Sequence, residues 1–303
     1  RSQRGDPAPR RAAGLSGRSV AAAASQLQLL PVRPPGAPPF VLAVECAGDR
    51  HFAPCLRHHA LWEPAETLAL LRMLQPGMTV VDVGAHVGYY SVLCAQRVGR
   101  AGRVIAFEPE AQNRRLLHAN LLLNDCANVA VHASAVDAAA GSARLFLSDS
   151  NRGDHRLQAV AGRRSVAVDT VSLDAALAGL ALDFVKIDTQ GAEPRVLHGM
   201  AGLIASQRER LGMMLEFAPG LLSRAGVATD SFAAQLAALD ARVYRVALQG
   251  RQVTLTRLDP LRAALALLAE ELAARGEGED ASLDLFAWFS PAAEAAWLAR
   301  FRG

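Results

Sequence analysis

The feature that most constrains this chain is a repeating unit: a short apolar, β-branched run, a turn, then a helical pattern, returning at intervals of about 25 residues. The runs are Thr79 to Val83, Arg103 to Phe107, Val129 to Ala133, Asp183 to Ile187 and Leu211 to Phe217. Strands alternating with helices in this way are βαβ units, and their right-handed crossovers wind them into a parallel sheet covered on both faces. The expected fold is therefore α/β, a doubly wound, Rossmann-like sheet. In such a sheet a ligand sits beyond the carboxyl ends of the strands, beside the switch point where the first strand turns into its helix.

The rhythm breaks once, at an insertion of about residues 138–174 between the third and fourth strands. It contains two further β-like runs, Ala143 to Leu147 and Ser165 to Thr170, around the polar loop Ser148 to Arg156, and reads as an ordered hairpin. After the fifth strand come a helix over Ser231 to Leu239, an antiparallel pair (Arg242 to Leu248 and Gln252 to Arg257) and a helix near Leu261 to Ala274. A last apolar run, Leu283 to Phe289, precedes a surface helix, Pro291 to Arg300, with Trp297 on its apolar side. These runs make the sheet mixed, mostly parallel with an antiparallel edge strand. Residues 1–40 are rich in Arg, Ala, Pro and Gly; such a segment buries little and is expected to be a disordered tail, leaving 41–303 as one domain.

Composition narrows the partners. The 51% of hydrophobic residues suffices for a sizeable core, and the 32 basic and 29 acidic residues leave a net charge of +3, which does not argue for nucleic acid or an anionic membrane. No run of about 18 apolar residues is present to span a bilayer. Cys46, Cys55, Cys94 and Cys126 form no C-x-x-C pair and read as the reduced thiols of a cytoplasmic protein, with Cys46 and Cys55 the two that an oxidising setting would join. Lys186 is the one lysine among the 32 basic residues.

The turn after the first parallel strand reads Asp82-Val83-Gly84-Ala85-His86-Val87-Gly88-Tyr89. A dinucleotide fingerprint needs G-x-G-x-x-G, whose second glycine admits a pyrophosphate; here the glycines are spaced G-x-x-x-G and an acid precedes them. Asp82 would repel a pyrophosphate and welcome a cation, such as the amino acid end of S-adenosylmethionine with its ammonium and sulfonium. Glu108 ends the second strand, the place for a carboxylate that accepts both ribose hydroxyls. Nicotinamide enzymes put an acid there too, so an NAD(P)-dependent oxidoreductase stays open at this point, as does a noncatalytic cofactor-binding module.

Five segments in order, Asp82-Val-Gly-Ala-His-Val-Gly-Tyr-Tyr-Ser91, Phe107-Glu-Pro109, Gly153-Asp-His-Arg156, Val185-Lys-Ile-Asp-Thr-Gln-Gly-Ala-Glu193 and Leu215-Glu-Phe-Ala-Pro219, resemble the successive motifs of FkbM-type S-adenosylmethionine-dependent methyltransferases. Trp62-Glu63-Pro64 upstream is similar to the segment that opens the family's domain, and His86 stands where the family more often has Asn. The resemblance implies a class I methyltransferase fold and O-methylation of a hydroxyl on a sugar, glycan or secondary metabolite. It also implies cofactor contacts from Glu63, Asp82, Gly84, His86, Gly88, Tyr89, Glu108, Pro109, Ala135 and Asp188. The expected partner is a small-molecule or glycan acceptor, without nucleic acid.

Methyl transfer from a sulfonium depends mainly on alignment, but an alcohol must still shed its proton. Lys186 and Asp188 share one strand face, so Asp188 can meet the methionine ammonium or take the proton while Lys186 steadies its charge. Glu216 ends the next parallel strand and should lie beside Asp188. His155, in the insertion loop, has the intrinsic pKa best suited to accept a proton near neutrality. Two carboxylates can also hold a divalent ion, but no third acidic ligand is evident, so no metal is expected.

Overall fold

The computed structural model describes residues 27–47, 49–250, 252–275 and 281–302. Thirteen strands are formed among them: β1 (Leu27–Val32), β2 (Phe40–Glu45), β3 (Thr79–Val83), β4 (Arg103–Phe107), β5 (Val129–His132), β6 (Ala135–Val136), β7 (Gly141–Phe146), β8 (Ser165–Val171), β9 (Phe184–Ile187), β10 (Gly212–Phe217), β11 (Arg242–Gln249), β12 (Gln252–Arg257) and β13 (Leu283–Trp288). The central sheet has the order β12-β11-β13-β10-β9-β3-β4-β5. From β10 to β5 every neighbour is parallel. The chain runs outward from β3 through β4 to β5, then crosses back to β9 and β10 on the other side, so the switch point lies between β3 and β9.

The doubly wound mixed sheet is as expected, with each parallel strand within a residue or so of its predicted span. The antiparallel part is larger than the single edge strand expected. β13 enters between β10 and β11, antiparallel to both, and β12 extends the edge. Asp284 through Trp288 are all buried, a pattern that suits an interior strand covered on two faces and not an edge.

The expected tail is corrected from Leu27 onward. β1 and β2 form an antiparallel hairpin with Val32 opposite Phe40, and Leu30, Val32, Phe40, Leu42 and Val44 alternate into the core. The prolines between them close the turn and gave this stretch the composition of a linker; the period-2 apolar pattern decides its structure. Residues 1–26 of the expected tail lie outside the described residues. The insertion is ordered as expected: β7 pairs antiparallel with β8, β6 pairs parallel with β8, and the loop between β7 and β8 is closed by a bridge from Phe146 to Arg156.

Alternation along the strands divides the core. Val80, Ala106, Phe184, Met214 and Phe286 face one side; Val81, Ile105, Val185, Leu215 and Leu285 face the other. The first side is covered by α1 (Phe52–His59), α2 (Pro64–Met73) and α3 (Tyr89–Val98), through Leu56, Leu70 and Leu93 among others. Beyond β4 runs α4 (Ala111–Leu123), whose start is capped by Glu110 accepting from the backbone N–H of Gln112 and Asn113. No helix among the described residues is long and apolar enough to cross a membrane.

Candidate functional site

On the face covered by α1 to α3, the apolar interior gives way to charge at the carboxyl ends of the strands. Asp82 on β3 lies in register with Lys186 on β9. Two residues further along each strand the same face carries Glu108, Gly84, Asp188 and Glu216, with Asp284 of β13 in register with Glu216. This row, Asp284 aside, forms the floor of a cleft of about 920 Å³ that also takes in Glu63, His86, Tyr89, Tyr90, Pro109, Ala135 and His155. That volume is in the range of small-molecule and cofactor sites.

Gly84 is the one gap in the row, and its φ of +81° belongs to the left-handed region. A Cβ here would lie 1.9 Å from the backbone oxygen of Asp188, so glycine is what lets β3 and β9 close up at the switch point. Gly88 answers to a different demand. It does not line the cleft, and a Cβ on it would lie 2.5 Å from Leu117 Cδ1 of α4. Gly88, expected as a cofactor contact, is thus placed outside the cleft lining and against α4.

Glu108 is fixed by three donors: the His86 N–H at 2.8 Å on Oε2, the Glu110 N–H at 2.9 Å on Oε1, and Asn113 Nδ2 at 3.5 Å. Burial outweighs these bonds and pushes its carboxyl up to about 7. Asp82 accepts from the Ser91 hydroxyl at 2.6 Å through Oδ2, while Oδ1 is buried without a partner. Burial raises the Asp82 carboxyl against the opposing pull of Lys186 and Ser91.

Lys186 is 3% exposed. Its Nζ lies 3.0 Å from Asp188 Oδ2 and 4.7 Å from the centre of the Tyr90 ring, an ion pair and a cation–π contact on one ammonium. Burial alone would raise the Asp188 carboxyl, but the charge and hydrogen bond of Lys186, helped by the Gln190 amide, hold it below the ordinary value. Glu216 goes the other way: burial, with Asp188, Glu193 and Asp284 close by, pushes it well above the carboxylate range. Glu63 caps α2 with a left-handed φ of +40° and accepts from the Tyr90 hydroxyl; burial and then Asp188 lift it to about 7. Tyr89 lines the cleft with its ring, while its hydroxyl is engaged by Thr67 Oγ1 at 3.0 Å and the Trp62 carbonyl at 3.1 Å.

The loop from Ser148 to Arg156 closes the far side of the cleft. Arg152 pairs with Glu45 at 2.6 Å, and its carbonyl accepts from Asn113 Nδ2 at 3.2 Å, tying the loop to β2 and α4. Asp154 is held between Arg156 and Arg163. His155 Nδ1 accepts the Ser148 N–H at 3.0 Å, which leaves the ring's proton on Nε2. Burial also lowers it to about 4. The ring therefore meets the cleft as a donor, and the proton-accepting role expected of His155 does not fit its hydrogen bonding.

Over residues 82–246, more than half its length, the sequence matches the family described as methyltransferase FkbM domain. The chain belongs to the FkbM methyltransferase family. Family membership assigns S-adenosylmethionine as the cofactor and sets the nicotinamide alternative aside. Curated relatives match only in part. Ribosomal RNA large subunit methyltransferase E of Acidithiobacillus ferrooxidans is 30% identical over 104 residues, 34% of this chain and 47% of that protein. The AMB antimetabolite synthetase AmbE of Pseudomonas aeruginosa is 53% identical over 49 residues, 16% of this chain and 2% of that protein. The chain thus spans less than half the length of the curated relatives it matches. Among solved structures, a precorrin-6y C5,15-methyltransferase from Geobacter metallireducens superimposes with a TM-score of 0.42 at 12% identity, covering 76% of this chain and 89% of that one.

The cleft gathers all the residues picked out from the sequence except Gly88: Glu63, Asp82, Gly84, His86, Tyr89, Glu108, Pro109, Ala135, His155, Lys186, Asp188 and Glu216. Asn113, Gln190 and Asp284 were missed. Asp284 had a signal, an acid at a core-facing position of an apolar run, but nothing in the sequence says that β13 lands beside β10. Among the described residues no group of three or more His, Cys, Asp or Glu has the geometry to hold a metal.

Proposed function

We propose that this methyltransferase carries the methyl group of S-adenosylmethionine to a hydroxyl oxygen of a sugar, glycan or secondary metabolite, with the donor over β3 and β4 and the acceptor over β9 and β10. One observation carries the reading: a row of acids on one sheet face, interrupted by Gly84, with a buried carboxylate oxygen of Asp82 left unpartnered on the donor side. That oxygen suits an ammonium, and Glu108, already oriented by three donors, keeps lone pairs for a ribose diol. The donor set therefore fits the cofactor.

When bound, S-adenosylmethionine supplies a methyl on a positively charged sulfur, a leaving group that needs no acid. The protein's part lies with the acceptor. Asp188, kept ionised by Lys186, takes the hydroxyl proton as the new C–O bond forms. Glu216, whose carboxyl burial and the neighbouring acids push toward the protonated form, hydrogen-bonds a neighbouring acceptor oxygen and orients it. The loop around His155 screens the reaction from water. The thiols of Cys46, Cys55, Cys94 and Cys126 are all free, which suits the reducing cytoplasm.

The partial match to a ribosomal RNA methyltransferase names another acceptor class. The cleft's cations are engaged by carboxylates, Lys186 by Asp188, Arg152 by Glu45, and Arg156 and Arg163 by Asp154, which favours an uncharged acceptor over a phosphate backbone. The test has two stages. Titration calorimetry with S-adenosylhomocysteine should give binding that weakens about tenfold or more in Asp82→Ala and Glu108→Gln, in line with losing a charge-assisted contact; unchanged affinity in both variants sinks the donor site. Tritiated methyl is then offered to methyl glycosides, hydroxylated natural products and ribosomal RNA. Label on the RNA alone overturns the acceptor assignment.

A further inference from the structure

We propose that Gln190 is a positioning residue, whose side-chain amide clamps Asp188 and Glu216 side by side so that an acceptor hydroxyl meets two carboxyl groups at a fixed separation. The proposal rests on the methyl-transfer reading above. Its basis is a single amide nitrogen shared between two acids: Gln190 Nε2 lies 2.9 Å from Asp188 Oδ1 and 3.2 and 3.1 Å from the two oxygens of Glu216.

The backbone beneath that amide is strained to present it. Gln190 has a φ of +56° and Gly191 a φ of +99°. Glycine would hold the first of these at lower cost, because a side chain with a Cβ is disfavoured in the left-handed region. The strain is imposed by Glu193, whose Oε1 accepts from the Thr189 N–H at 2.8 Å, the Thr189 hydroxyl at 3.0 Å and the Gly191 N–H at 3.2 Å. A turn over-determined in this way keeps an unfavoured residue only if its side chain has work to do. Glu63 and His86, at φ +40° and +51°, line the same cleft.

The groups that face Glu216 explain what the work is. Asp188 just beyond β9, Glu193 of the following helix and Asp284 of β13 crowd it with carboxyl groups, and Ser282 gives it one hydrogen bond. Lys186 pairs with Asp188, at 3.0 Å. Without the amide, Asp188 would keep the Lys186 pair and Glu216 the Ser282 hydrogen bond, but no donor would be shared between the two carboxyl groups.

Two variants separate this role from a merely structural one. Gln190→Gly relieves the backbone and removes the amide, and Gln190→Glu keeps the shape but replaces the donor with a third carboxyl group. The full chain, labelled with ¹³C-glutamate, is titrated by NMR, with the Glu216 carboxyl assigned from Glu216→Gln. The expected result is an upward shift of the Glu216 midpoint by about one pH unit in Gln190→Gly and by more in Gln190→Glu, because a hydrogen bond to the ionised form is lost. The melting temperature of Gln190→Gly should not fall, and S-adenosylhomocysteine affinity should stay within about twofold, since Gln190 lies on the acceptor side. A Glu216 midpoint that stays put or falls in both variants overturns the clamp, as does unfolding of Gln190→Gly. If the unaltered protein fails to bind S-adenosylhomocysteine, the methyl-transfer reading fails, while the Glu216 midpoints still decide whether Gln190 joins the two acids.

Discussion

Replacing Lys186 by Met takes the ammonium out of the cleft floor at nearly constant volume and leaves a thioether against the Tyr90 ring. Its charge lies 3.0 Å from Asp188 Oδ2 and in register with Asp82. Breaking a buried pair by removing one partner costs about 3–5 kcal/mol; because the Asp188 side chain is 28% exposed and water can relax around it, about 2–4 kcal/mol is expected at neutral pH. The pH dependence follows from both partners. In the unaltered protein, Lys186 is raised above its ordinary value by the surrounding acids, overcoming burial, so its contribution persists until pH rises above about 10. Asp188 is lowered, so its contribution is present above the ordinary carboxylate value of about 4 and lost as pH falls below it. In Lys186→Met the Asp188 carboxyl loses its cation and burial raises it. The stability deficit should therefore be full at pH 7.5 and shrink toward pH 4.5, because the raised carboxyl of the folded variant takes up a proton on the way down and the stranded charge is neutralised. Urea unfolding followed by tryptophan fluorescence measures the deficit at each pH. The double variant Lys186→Met/Asp188→Asn should recover more than half of the loss, because the stranded charge is gone. A deficit below about 1 kcal/mol at pH 7.5, or one equal at both pH values, would refute the role given to the pair.

Two further perturbations test the architecture around the cleft. Gly84→Ala places a methyl 1.9 Å from the Asp188 oxygen between two central strands, whereas Gly77→Ala, at a similar φ of +86°, meets nothing within 4 Å; circular dichroism melts should show the second variant losing about 1–2 kcal/mol for its left-handed backbone and the first losing clearly more, and equal losses would argue against close packing at the switch point. His155 is lowered to about 4 by burial, so the unfolded chain takes up its proton first and stability drains as pH falls from about 6.5 to 4. In His155→Gln, which can still accept the Ser148 N–H, the fall in melting temperature between pH 7 and 5 should be shallower; the same slope in both proteins would contradict the neutral, donor-facing ring.

Much of the site was legible because a strand's period of two and the parallel crossover together imply neighbours. Lys186 and Asp188 had to share a face, and Glu216 had to end beside Asp188 once β9 and β10 were consecutive parallel strands. The hairpin of β1 and β2 was hidden by its prolines, whose composition outweighed an alternation of only a few residues. Asp284 was hidden for another reason: β13 comes last in the chain yet pairs with β10, and no local pattern records which distant strand a segment will join. His155 was misjudged from intrinsic pKa, since the Ser148 N–H that fixes its tautomer exists only in the folded loop.

By itself, the sequence determined the strands and helices, the faces their side chains would take, and the motif order that marks the family, because these depend on spacing within short windows. Tertiary structure decided which acids share a proton-poor or proton-rich environment and why two glycines four residues apart serve different ends. Desolvation and close approach arise only when segments far apart along the chain are pressed against one another.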